Sequence, residues 1–315
     1  MLPALAVIVG IAALVWGADR FVVGASGTAR NLGMSKLFIG LTVVALGTSA
    51  PEMLVSAIAA FNGNPGLAIG NAFGSNIANC ALVLGVAAIV SPLTMRTPML
   101  RHEFPVLLGL MVVVWWLLRD GKLGVFEGGL LVAGVVPLLW WMVRLGNAAF
   151  DVETAEDNAP AMTLRRSLAW LGGGLAVLLV SSHTVVWGAV QIAEMLGVSD
   201  TIIGLSVIAI GTSLPELAAS VAGALRNQHE IAVGNVLGSN MFNLLVVLGL
   251  PGLIAPGLID PEILSRDFPV MVGVTVAVFA FAFFHRAPPR LGRAGGAVLT
   301  LAFVGYLLLL YDWLP

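Results

Sequence analysis

Glu52 and Glu216 each follow a proline and sit near the middle of a long apolar stretch. The other 15 of the chain's 17 acidic residues fall in loops or near the ends of such stretches, and no Lys or Arg lies at comparable depth to neutralise the pair. An ionised carboxylate at a bilayer centre costs roughly 2.5–3.5 kcal/mol even on a lenient scale, so each of the two is a functional hypothesis. Brought to one point, they match the charge of a single divalent cation. Hydroxyl and amide residues surround them: Thr48, Ser49, Ser75 and Asn79 near the first, Thr212, Ser213, Ser239 and Asn243 near the second. Oxygens of these kinds suit calcium, which takes about six to eight hard ligands in flexible geometry. The set includes neither Cys nor His, so it does not select zinc or copper.

The two glutamates belong to a duplication. Residues 38–85 and 202–249 align without a gap at an offset of 164, with 22 of 48 positions identical. The shared residues include Gly47, Thr48, Ser49, Pro51, Glu52, Gly70, Asn71, Gly74, Ser75, Asn76 and Asn79, matched by Gly211, Thr212, Ser213, Pro215, Glu216, Gly234, Asn235, Gly238, Ser239, Asn240 and Asn243. Small, polar and acidic residues are kept while the apolar filler drifts, which marks a duplicated site.

Spacing tells how the site is built. Ala45, Thr48, Ser49 and Glu52 follow a three-to-four spacing and share a helix face. Pro51 and Pro215 lack an amide hydrogen and clash with the carbonyl four residues back, which predicts kinks at Gly47 and Gly211. Carbonyls freed at membrane depth must line a cavity or find partners. Asn71, Ser75 and Asn79 recur every four residues, as do Asn235, Ser239 and Asn243, and Gly70 and Gly74 permit close helix approach. Taken singly, a membrane Ser or Thr usually bonds back to its own helix. A lone proline is a kink, and paired small residues are packing. Their conjunction with an unpaired Glu, twice at one offset, overrides those plainer readings. For Asn71 and Asn235, packing and ligation both stay open. Asp19–Arg20, Glu103 and Asp267 read as interfacial anchors, and His102, His183, His229 and His285 lie outside the signature. Cys80 is the single cysteine, which rules out an internal disulfide and leaves a small core residue.

The elements that carry these residues are membrane helices. Hydrophobic residues make up 59% of the chain and charged ones 10%, with a mean hydropathy of +1.00, which excludes a soluble globule. Apolar runs of about 20 residues, each enough to cross a hydrocarbon core, recur throughout. Ten spans are predicted: 3–23, 38–61, 67–90, 103–118, 124–144, 167–190, 202–225, 231–254, 268–285 and 291–312. The first has no preceding basic residue and no cleavage site, so it reads as a helix and not a signal peptide. The polar interruption 145–166 separates a five-span unit, 1–144, from a second, 167–315. Further residues match at the same offset, among them Gly24 with Gly188, Pro92 with Pro256 and Phe104-Pro105 with Phe268-Pro269. An odd number of crossings per unit predicts an all-α polytopic protein of two inverted five-helix repeats, with its binding site near the midplane. Only Arg119, Lys122 and Arg266 fall on one side of the predicted topology and the other 12 basic residues on the opposite side. That asymmetry predicts a cytoplasmic linker and outward-facing termini. No basic tract suggests nucleic acid.

At the GTS-x-PE and GSN motifs the sequence resembles the cation/calcium exchanger superfamily. The phrases GADRFVVGAS, GLPGLIAPGLIDP and SRDFPV are similar to its bacterial inner-membrane sodium/calcium antiporter branch. The resemblance covers the whole chain and implies a ten-span fold in an inner membrane. It implies that Glu52 and Glu216 are the central calcium ligands, helped by the carbonyls of Thr48 and Thr212. Sodium sites would draw on Ser49, Ser213, Ser75, Ser239 and the backbone of Ala45 and Ala209. Some sodium-coupled members carry an acidic residue where this chain has Asn243, whereas Asn79 follows the pattern. The site is then expected to hold two fixed negative charges instead of three.

The expected function is secondary antiport, exchanging calcium for sodium across the bilayer by alternating access, with spans one and six moving past the rest. The ions are cargo and no cofactor is expected. A calcium/proton exchanger of the same fold is the alternative, since carboxylates also bind protons. An intramembrane enzyme would need a base beside the buried serines, and no His accompanies them. A channel suits two sealing carboxylates poorly.

Overall fold

The computed structural model describes residues 1–95, 97–153, 162–197, 209–284 and 288–312. Among these, eight helices are long and apolar enough to cross a membrane. They are α1 (Leu2–Leu32), α4 (Pro65–Val90), α5 (Leu100–Leu118), α6 (Val125–Arg144), α7 (Leu164–Met195), α10 (His229–Ile254), α11 (Ile263–Phe283) and α12 (Arg293–Leu310). A ninth crossing forms if α2 (Lys36–Thr48) and α3 (Ala50–Phe61), bent 42° from each other, count as one. Of the expected span 202–225, residues 202–208 lie outside the described residues; α8 (Ala209–Thr212) and α9 (Leu214–Leu225) make up the rest. In the linker, 154–161 likewise lies outside them.

Helix α1 has 31 residues and α7 has 32, both longer than the expected spans 3–23 and 167–190. They form an antiparallel pair along a seam of small residues. A Cβ on Gly10 would meet Val185, one on Gly17 would meet Leu178, and one on Gly24 would run into the backbone of Leu171. The spacing of seven keeps these glycines on one stripe, and small residues let membrane helices approach backbone to backbone. The matched pair Gly24 and Gly188 belongs to this seam, Gly188 lying against the carbonyl of Pro3.

Helices α4 and α10 form the centre. Helix α10 is buried along 94% of its apolar window and α4 along 72%, whereas the other long helices reach at most 39%. The remaining helices therefore make the outer shell, and the motif-bearing residues Asn71–Asn79 and Asn235–Asn243 sit inside it. Asn64 caps α4 by accepting from the Leu67 amide at 3.2 Å, with Pro65 in the first turn, where its missing N–H does no harm.

Two short antiparallel strand pairs join the halves. Strand β1 (Leu93–Thr94) pairs with β4 (Arg290–Leu291), and β2 (Lys122–Leu123) pairs with β3 (Gly257–Leu258). Glu103 and Asp267, expected as interfacial anchors, are both buried against protein. Asp267 accepts from Arg266 Nε at 2.8 Å and from the Tyr306 hydroxyl at 3.0 Å, so it is a partnered group inside the helix packing.

Candidate ion-binding site

The site begins with two helix breaks. Pro51 and Pro215 leave the carbonyls of Gly47 and Gly211 without their usual amide donors. The break falls slightly later than the kinks expected at those glycines: Ser49 (φ −83°, ψ 3°) separates α2 from α3, and Ser213 (φ −86°, ψ 4°) separates α8 from α9. Each glutamate thus lies in the first turn of a new helix, where the partial positive charge of the helix start favours an anion. The freed Gly211 carbonyl accepts from the Ser182 hydroxyl of α7 at 3.1 Å.

Glycines bring the helices together around these breaks. On α10 a Cβ at Gly234 would meet the Leu37 carbonyl at 3.0 Å, and one at Gly238 would collide with the Leu41 carbonyl and the Ala45 side chain. Helix α2 lies in that groove and crosses α10 at Ala45. There Ser239 donates to the Ala45 carbonyl at 3.5 Å.

Glu52 and Glu216 are each only 1% exposed. Ser49 donates to Glu216 Oε1 at 3.2 Å. A hydroxyl from the first half thus holds the carboxylate of the second. Oε2 of each glutamate is buried with no hydrogen-bond partner, as are Ser213 Oγ, Asn79 Oδ1 and both amide atoms of Asn243. Buried oxygens without donors are rare because each carries a desolvation cost of about 1–3 kcal/mol. Six of the eight such side-chain oxygens among the described residues belong to the duplicated motif, Thr28 Oγ1 and Glu103 Oε2 being the others, and no described Lys or Arg pairs with either glutamate.

Asn71 and Asn235, for which packing and ligation stayed open, act on the glutamates through the backbone. Asn71 Nδ2 donates to the Glu52 carbonyl at 3.1 Å, and Asn235 Nδ2 to the Glu216 carbonyl at 3.4 Å. Asn235 also donates to Ser220 Oγ at 3.1 Å and accepts from the Thr48 hydroxyl at 2.9 Å. The Thr48 hydroxyl is therefore engaged across the two halves. Ser56 and Ser220, conserved between the halves yet not singled out from the sequence, lie one turn behind the glutamates. Ser56 donates to the Val247 carbonyl at 2.7 Å and Ser220 to that of Ala232 at 3.3 Å, holding α3 and α9 to the central helices.

Asn79 and Asn243 each begin a π-helical turn, Asn79–Val83 and Asn243–Val247. Such turns occur often at functional sites, because the extra residue displaces side chains from the regular spiral. Ser75 is buried, and with Asn71 and Thr212 it borders a cleft that reaches Asp267 and Tyr306. The side chain of Ala209 lies outside the described residues. Carboxylate, hydroxyl and amide oxygens from both halves are thus buried in the helix packing, several without a protein partner, and oxygens of these kinds suit a dehydrated cation.

Against known proteins, the chain matches the sodium/calcium exchanger protein family over residues 2–143 and 166–311. It is 42% identical to the inner membrane protein YrbG of Escherichia coli (strain K12), over 98% of this chain and 96% of that protein. It is 32% identical to the sodium/calcium exchanger MaX1 of Methanosarcina acetivorans, over 98% of both chains. Among solved structures it resembles the sodium-calcium exchanger NCX_Mj soaked with 2.5 mM Na+ and 0.1 mM Ca2+. The TM-score is 0.85 and the identity 32%, over 100% of this chain and 99% of that one.

Proposed function

We propose that this chain, which belongs to the sodium/calcium exchanger family, is a multi-pass antiporter of the inner membrane that carries calcium one way and sodium the other. The family is one of transporters, so the enzymatic alternative falls away. The observation that carries the proposal is the cluster of buried oxygens without donors: Glu52 Oε2, Glu216 Oε2, Ser213 Oγ and Asn79 Oδ1. A bound cation satisfies all of them at once, and two carboxylates neutralise calcium completely.

The full ligand set we assign is Glu52 and Glu216 with the carbonyls of Thr48 and Thr212 for calcium. Ser49, Ser213, Ser75, Ser239, Asn79, Asn243 and the backbone of Ala45 and Ala209 complete the sodium positions. The same glutamates serve both ions in turn. Bound calcium leaves the site balanced, whereas more than two sodium ions leave it positive. Calcium export against such sodium entry is therefore driven by an inside-negative potential.

Access alternates, in this proposal, as the α1–α7 pair, the first helices of the two inverted five-helix repeats, slides past the remaining eight spans. Helix α1 packs against α9 in one hydrophobic cluster through Ala18, Phe21, Ala218, Ala219 and Ala222. Asp19 also pairs with Arg226 at 2.5 Å. Helix α7 makes no comparable contact with α3 among the described residues. The sequence counterparts of Asp19 and Arg226 are His183 and Asn62, which form no such ion pair. One face is thus sealed against α1 while the other is not. With the linker placed in the cytoplasm, the sealed face is the inner one.

Reconstituted vesicles loaded with calcium test the proposal. Efflux is expected under an inward sodium gradient at constant pH. Efflux that follows a pH gradient and ignores sodium assigns the protein to calcium/proton exchange instead.

A further inference from the structure

Behind Asn79 runs a chain of side chains whose donors and acceptors leave only one arrangement. The Thr275 hydroxyl, on α11, donates to the Met271 carbonyl one turn back at 2.8 Å. Its single hydrogen is thereby used, and its oxygen is left as an acceptor. Cys80 Sγ lies 3.5 Å from that oxygen, so the thiol is the donor of the pair. A thiol that has given its hydrogen to Thr275 can only accept from its other neighbour. That neighbour is Asn240, and Nδ2 donates to Cys80 Sγ at 3.1 Å. With its nitrogen turned to the sulfur, Asn240 presents Oδ1 to Asn79, whose Nδ2 donates to it at 3.0 Å. Asn79 must then turn its own Oδ1 away from Asn240, and that oxygen is buried without a donor.

An asparagine side chain has nearly the same shape either way round, and only its partners determine which end faces a ligand. For a cation the difference is decisive, since an amide oxygen attracts it and an amide NH2 group repels it. We infer that Thr275 and Cys80, acting through Asn240, set which atom of Asn79 faces the ion. Thr275, Cys80 and Asn240 are positioning residues, and they touch no ion themselves.

The other half of the site lacks this chain. At the offset of 164, Cys80 corresponds to Leu244, Thr275 to Met111 and Asn240 to Asn76. Leucine and methionine supply neither a hydroxyl nor a thiol hydrogen. Accordingly Asn76 and Asn243 have all four amide atoms buried and without partners. One arm of the site is held as an oxygen donor, while in the opposite arm no partner sets which way round the amides sit. The polar core around Cys80 thus distinguishes two halves that look equivalent in the duplicated motifs.

The inference rests on the ion-exchange function proposed above, and the test separates the two. In proteoliposomes, Thr275→Val and Cys80→Ala should raise the calcium concentration for half-maximal exchange about tenfold, the scale of lost outer-shell support at a metal site. The maximal rate should stay near that of the parent. Cys80→Ser, which can both donate and accept, should recover most of the affinity lost in Cys80→Ala. Unchanged half-saturation in both variants, or no recovery with serine, overturns the inference. A parent protein that moves neither calcium nor sodium defeats the functional proposal alone. The chain is then judged from thermal unfolding in ion-free detergent: Thr275→Val and Asn79→Leu must be non-additive, and additive shifts overturn it.

Discussion

Ser49 donates its hydroxyl hydrogen to Oε1 of Glu216 at 3.2 Å, whereas its counterpart Ser213 has a buried hydroxyl with no partner. The two serines occupy equivalent positions after equivalent glycines and threonines, yet one is already committed to a carboxylate. The site is therefore asymmetric at its centre before any ion enters it.

That asymmetry separates two effects. Ser49→Ala should lower ion-free stability by about 1 kcal/mol, the scale of a hydrogen bond between membrane helices, and should weaken sodium activation too. Ser213→Ala should weaken sodium activation with no loss of ion-free stability. Thermal unfolding in detergent without sodium or calcium gives the first quantity, and sodium titration of calcium flux gives the second. Equal ion-free losses in the two variants would contradict the asymmetry.

Glu52→Gln and Glu216→Gln keep the size of the side chain and remove the charge that balances calcium. Each alone should abolish calcium exchange, with residual flux at the vesicle background. Both variants should insert and purify, because exchanging a buried charge for a neutral group of similar volume is often neutral or stabilising. Normal flux in either variant rules out the paired-carboxylate site.

Asn243→Asp adds a third carboxylate beside Glu52 and Glu216. Cation affinity should rise and turnover should slow, since release must overcome the added attraction. The gain should fade on acidification, because protonating the new carboxyl restores a neutral side chain of nearly the same shape. Flux assays across pH 5 to about 8, where proteins are commonly most stable, compare the variant with its parent. A pH-independent affinity gain excludes the new carboxyl as its source.

Gly174 faces α1 so closely that a Cβ would lie 2.5 Å from the Phe21 amide nitrogen and 2.7 Å from its Cα. A Cβ at the adjacent Gly173 meets nothing within 4 Å. Gly174→Ala should therefore cost at least about 2 kcal/mol through overpacking against a backbone that cannot yield. Gly173→Ala should be neutral or slightly stabilising, since alanine favours helix. Denaturation midpoints of the two purified variants decide the matter.

A cysteine placed at Asn158, in a Cys80→Ser background, reports the orientation. Labelling is expected from the cytoplasmic side only, because 12 of the 15 basic residues are assigned to that side. Labelling of intact cells by an impermeant reagent reverses the orientation and leaves the fold untouched.

Much of the site was legible because duplication separates chemistry from filler. Glu52, Glu216, Ser49 and Asn79 stood out as polar residues preserved at one offset, and the structure buries each of them. The hydrogen-bond chain behind Asn79 did not stand out, since Cys80 and Thr275 have no polar counterparts in the other half. Its parts lie 195 residues apart in the sequence, and Cys80 alone looks like any small core residue. The breaks were expected at Gly47 and Gly211 but fall at Ser49 and Ser213, because a missing amide specifies which carbonyl is freed and not which torsion yields. What packs against Glu103 and Asp267 was not legible, because hydropathy records the flanking run and not the neighbours. Asp267 is held inside by Arg266 and Tyr306, the latter 39 residues away.

The two strand pairs are nested: Lys122–Leu123 waits for Gly257–Leu258, and the earlier Leu93–Thr94 waits for the later Arg290–Leu291. During synthesis the inner clasp can close first, and the segment that emerges earliest is fastened last. The amino-terminal half leaves the ribosome with two sets of strand hydrogen bonds that only the carboxy-terminal half can complete. Although the sequence has the form of a tandem copy, each copy needs the other to complete these strand pairs. The outer clasp, at Leu93–Thr94, therefore stays open until nearly the whole polypeptide has been made.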